Sequence, residues 1–197
     1  MGGPGDVPAW QRFVVASVAL ALTAGFGLGA GLMAAEASHL SIGLWWLAAA
    51  QAHGHVQVFG WIGLMVIGVA IHVLPRLRGA PLGHAAVVRV LFLLLVVGLI
   101  GRAVTQPLFA AADAGPGRAV LGGILIGSGG LEAAGATLLV WIWASILRAG
   151  PKLRERPALP PVLPFFITAF GALWLALAVN LVGVEEAVRT GAGLVPQ

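Results

Sequence analysis

The sequence predicts an all-α protein, a polytopic transmembrane bundle of about five helices with its N-terminus in the cytoplasm. Three observations carry that expectation. Hydrophobic residues make up 59% of the chain and charged residues only 9%, whereas soluble domains carry roughly 25% charged residues. The apolar residues gather into runs long enough to cross the ~30 Å hydrocarbon core of a bilayer as helices. The basic residues lie between these runs and favour one side. Arg12, Arg76, Arg78, Arg89, Arg148, Lys152, Arg154 and Arg156 share the side of the N-terminus, and only Arg102, Arg118 and Arg189 face the other. That is the positive-inside pattern, so the net charge of +4 reports topology rather than a nucleic-acid partner.

Residues 1–11 are rich in Gly and Pro and are expected to be disordered. The first helix is expected from about Arg12 to Ala35. Its apolar run is longer than the ~7–15 residues of a signal-peptide core, so it reads as a retained helix. Gly25, Gly27, Gly29 and Gly31 form two overlapping small-xxx-small pairs that let a neighbouring helix come close. Trp45 and Trp46 mark an interfacial belt where a second helix begins at Leu44. It is expected to end at Leu74, because Pro75 disfavours helix just before it. Further helices are expected over about Ala85 to Leu108, Arg118 to Arg148 and Val162 to Val184. The transmembrane domain thus covers 12–184, and 185–197 form a tail. His39 and His84 fall in loops. The absence of cysteine excludes disulfides, thiolate ligands and covalent c-type heme attachment. There is no P-loop, dinucleotide-binding fingerprint, HExxH motif or catalytic triad signature.

The stretch from His53 to Gly79 stands apart. It holds the one histidine cluster, in a segment with no charged residue between Glu36 and Arg76. Ionisable and metal-competent groups at membrane depth mark functional sites by default. On a regular helix, residues two apart point about 200° apart, so His53 and His55 cannot ligate one metal unless the helix unwinds. Gln57 lies one turn from His53, and Gln51 one turn from His55. Each imidazole therefore has a possible hydrogen-bond partner on its own face, which would suit a ligand or a structural histidine equally. His72 is roughly 25 Å further along a helix than His55 and belongs to the interface. Arg102 must snorkel, pair or meet an anion. Glu132, near the middle of its helix, is either a proton carrier or a hydrogen-bonding partner for a neighbouring helix.

The pattern His53-x-His55-x-x-x-Phe59-Gly60, followed by Gly68 and then Pro75-x-x-x-Gly79, resembles the NnrS-type bacterial membrane proteins. The match covers an N-terminal half of that family and has Val56-Gln57 and Leu77-Arg78 where the family has Glu-Met and Trp-Thr. The family is distantly similar to the catalytic subunit of heme–copper oxidases. The resemblance implies heme and copper as cofactors, a role in the nitric oxide response and a place in the bacterial inner membrane. It implies His53 and His55 as metal ligands. His53 is the expected axial ligand, because His53-Gly54 and Phe59 resemble the oxidase His-Gly-x-x-x-x-Phe. It also implies Arg102 as a clamp for heme propionates. From their positions, Gln51, Gln57, His72 and Glu132 are expected as supporting residues. No binuclear centre can be assembled from these histidines, so binding, sensing or protection is expected ahead of oxidoreductase chemistry, unless a second polypeptide or an oligomer completes the site. The competing expectation is a cofactor-free transporter or assembly protein in which Arg102, Glu132 and the histidines are pathway residues.

Overall fold

A computed structural model describes residues 8–40, 43–83, 85–151 and 160–196. Among the described residues, five helices are long and apolar enough to cross a membrane: α1 Ala9–Ala37, α2 Leu44–Arg78, α3 Ala85–Ala111, α4 Pro116–Ala149 and α5 Leu163–Arg189. No strand occurs among the described residues. Each helix packs chiefly on its neighbours in sequence, as short connections dictate for antiparallel bundles. The expected placements of His84, of Lys152, Arg154 and Arg156, and of residues 1–7 lie outside the described residues.

Every helix extends past its expected bounds at one end or both. Helix α1 starts at Ala9 rather than Arg12, so residues 9–11 are helical. Helices α1, α3 and α4 run on to Ala37, Ala111 and Ala149. The most instructive correction is at Pro75. Proline removes one bond to the carbonyl four residues back but leaves the residues after it free to remain helical. Helix α2 therefore continues to Arg78. There Gly79, at φ 66°, closes it with two bonds, Gly79 N–H to Arg76 O at 3.2 Å and Ala80 N–H to Pro75 O at 3.0 Å, as in a Schellman cap. Helix α5 likewise runs through the expected tail to Arg189. Two segments are wound as π-helix, Ala21–Gly27 in α1 and Val56–Gly63 in α2, and they pack against each other. Such windings recur at functional sites.

The core explains the placement of the polar residues. Helix α3 buries Leu91, Leu95, Leu99, Arg102, Gln106 and Phe109, a face with steps of three and four. Leu91, Leu95 and Leu99 belong to one apolar cluster with Phe13, Leu64 and Leu139. Phe109 belongs to a second, with Leu125 and Val184. Arg102 and Gln106 lie between the two, so a polar layer separates two apolar ones. Helix α4 reaches this layer because Gly98 has no side chain. A Cβ there would lie 2.7 Å from Glu132 Cγ and 2.9 Å from Ser128 O.

Candidate functional site

The polar layer is built around His55 and Glu132. His55 is the last residue before the π-wound segment of α2, and its ring turns toward α4. Its Nε2 lies 2.6 Å from Glu132 Oε2, with both side chains buried. One proton sits between them whichever group carries it, and Nδ1 remains for another partner. The His55 ring also packs on Phe59, with centroids 4.6 Å apart. Glu132 Oε1 is buried and has no hydrogen-bond partner among the described residues.

Arg102 completes the layer. It is only 3% exposed, too buried to reach headgroups, which removes the snorkelling alternative. Its Nε donates to Gln106 Oε1 at 3.1 Å and its Nη1 donates to Asn180 Oδ1 of α5. These two bonds use Nε and Nη1 of the guanidinium. A cavity of about 600 Å³ opens beside these groups, bordered by Gln51, His55, Phe59, Arg102 and Val195. That volume falls within the roughly 300–1,000 Å³ of small-molecule and cofactor pockets.

The other histidines lie elsewhere. His53 turns toward α1, where its Nδ1 donates to Gly25 O at 2.9 Å. The carbonyl can only accept, so Nδ1 is the donor in this contact. The ring lies against Gly29, where a Cβ would come within 2.9 Å of Cε1. Gln57 faces Gly25 from the same side of α2, and its Oε1 is buried without a partner among the described residues. The expected pairing of each imidazole with a glutamine on its own face is thus replaced by Gly25 for His53 and Glu132 for His55. Of the four glycines on α1, Gly25 and Gly29 receive side chains of α2, whereas Gly31 faces open space. His72 borders a separate cavity of about 620 Å³ with Trp10 and Arg76, and its ring centroid is 4.8 Å from that of Trp10. His39 is exposed.

The structure therefore joins His55, Arg102, Glu132 and Gln51, and separates from them His53, Gln57 and His72. Two contributors were not anticipated as site residues, Gln106 and the chain after α5. Asn180 of α5 joins them by accepting from Arg102. Among the described residues no three His, Cys, Asp or Glu converge as a metal site. No protein-family profile matches the chain, and neither does any curated protein or solved structure. The family reading accordingly rests on the motif between His53 and Gly79.

Proposed function

We propose that this chain is an integral membrane heme-binding protein of the nitric oxide response, with its heme site at His55 and Arg102. The observation that carries the reading is that these two side chains border one cofactor-sized cavity. His53, the ligand expected from the resemblance, faces α1 and does not border it. His55 would hold the iron through Nδ1, the ring nitrogen that Glu132 leaves free. A carboxylate behind a ligating imidazole fixes its orientation and raises its basicity. Arg102 would take a carboxylate of the cofactor on Nη2, since a guanidinium recognises such groups in a planar, two-pronged way. A bound heme supplies an iron with an open position for a diatomic gas such as nitric oxide. The remaining walls are mostly apolar.

The residues do not fit a copper ion in the same way, because His53 and His55 point to different helices and, among the described residues, no group of three metal-competent side chains forms. The topology that goes with this reading has the N-terminus in the cytoplasm and places His55 and Arg102 in the outer half of the bilayer. The test is the visible spectrum of protein purified after heme-replete expression, in which a Soret band is expected.

One observation favours the cofactor-free alternative. Glu132 also borders an interior cavity of about 10 Å³, roughly the least space that holds a water molecule, and its Oε1 lacks a partner among the described residues. A carboxyl group between that cavity and His55 suits proton movement in a transporter. A stable fold without any Soret band selects this reading.

A further inference from the structure

After α5 the chain turns back onto the bundle. Gly191 and Gly193 take left-handed conformations, φ 72° and 67°, which glycine adopts without steric penalty. Residues 194–196 then lie along the cavity and form one of its walls. Two side-chain amides hold them there. Gln51 Nε2 donates to Val195 O at 3.0 Å, and Gln51 Oε1 accepts from Val195 N–H at 2.9 Å. Gln106 Nε2 donates to Gly193 O at 3.1 Å and to Gln51 Oε1 at 3.0 Å. Val195 also leans on α5, where a Cβ at Gly183 would stand 3.9 Å from its own Cβ.

The grip is polar, and it couples the segment to the site. Gln106 bonds the strap on one side and Arg102 on the other. Of residues 191–196 only Gly193 is fully buried, so little apolar surface holds the segment down. Hydrogen bonds to side-chain amides can be exchanged for water without unfolding a helix. We infer that Gly191–Pro196 is a latched strap over the His55–Arg102 cavity, released when Gln51 and Gln106 let go, and that it controls access of the heme carboxylate edge to Arg102. The inference about heme access rests on the cofactor reading above; the strap's opening does not.

Two measurements separate them. Gly193 lies against Ala110, so a cysteine in Ala110→Cys is covered by the closed strap, and the chain has no other thiol. Its modification by a small maleimide is expected to be at least about fivefold faster when Gln51→Leu is added, since several hydrogen bonds are lost. Equal rates overturn the strap, whatever the cofactor. In a second variant, Gly183→Cys/Val195→Cys, the Cβ separation suits a disulfide, for which about 3.5–4.5 Å is usual. Oxidation is expected to slow heme uptake by the apoprotein about tenfold, and reduction to restore it. Failure to cross-link, or equal uptake in both states, overturns the strap as a gate. If no variant takes up heme, the cofactor reading fails, and the strap is decided by the maleimide rates alone.

Discussion

His55 and Glu132 meet at 2.6 Å in the middle of the bundle, Nε2 to Oε2, joining α2 to α4 across 77 residues of sequence. With Glu132 only 1% exposed, its carboxyl group cannot exchange its partner for bulk water. Removing one side of a buried pair strands the other, at a cost of about 3–5 kcal/mol in soluble proteins. Glu132→Ala is therefore expected to lower the thermal stability of the detergent-solubilised protein strongly, and Glu132→Gln less, because an amide keeps a hydrogen bond. The double variant His55→Ala/Glu132→Ala should lose less than the sum of the singles, by about 1–3 kcal/mol. Additive losses would show that the contact contributes nothing of its own.

The crossing of α3 and α4 gives a second prediction. Gly98→Ala places a methyl 2.7 Å from Glu132 Cγ and 2.9 Å from the Ser128 carbonyl. The helices must then separate, at a cost of about 1–3 kcal/mol, and the His55–Glu132 contact should loosen with them. Gly127 on α4 faces open space, so Gly127→Ala should be neutral or mildly stabilising, as for glycine in a helix interior. Thermal unfolding of the two variants checks the contrast, and equal losses would contradict it.

Much of this architecture was legible in the sequence, because membrane helices announce themselves by length and hydropathy. All five appear where the apolar runs place them. The opposed directions of His53 and His55 also follow from helix geometry, and the structure has them facing α1 and α4. What the sequence concealed is which helix each residue would meet. Nothing local tells His55 that Glu132 waits 77 residues away, or Arg102 that α5 will offer Asn180. The π-wound segments are equally silent, since Val56–Gly63 carries no periodicity that separates π from α. Pro75 does not end the helix because the steric rule acts on the residue before proline as a preference, while the residues after it stay free to be helical.

A third prediction concerns Arg102. It anchors Asn180 and Gln106 and borders the cavity, so Arg102→Leu should lower heme retention severalfold while the protein still inserts in the membrane. Arg102→Lys should rescue it only in part, because an ammonium lacks the planar fork. The heme-to-protein ratio after purification is the readout, and equal ratios in all three proteins would remove Arg102 from the site.

The topology can be tested apart from the site. Reporter fusions after Ala80 should read cytoplasmic and those after Asp113 external, as the basic residues require. The opposite pattern would place His55 and Arg102 in the inner half of the bilayer.

The claim that His55 carries the cofactor is tested most directly by the visible absorption of the purified protein beside its two histidine variants, all expressed under heme-replete conditions. A Soret band is predicted in the unmodified protein and in His53→Ala, and its loss in His55→Ala. The same band in His55→Ala, its loss in His53→Ala alone, or no band in the unmodified protein would contradict it.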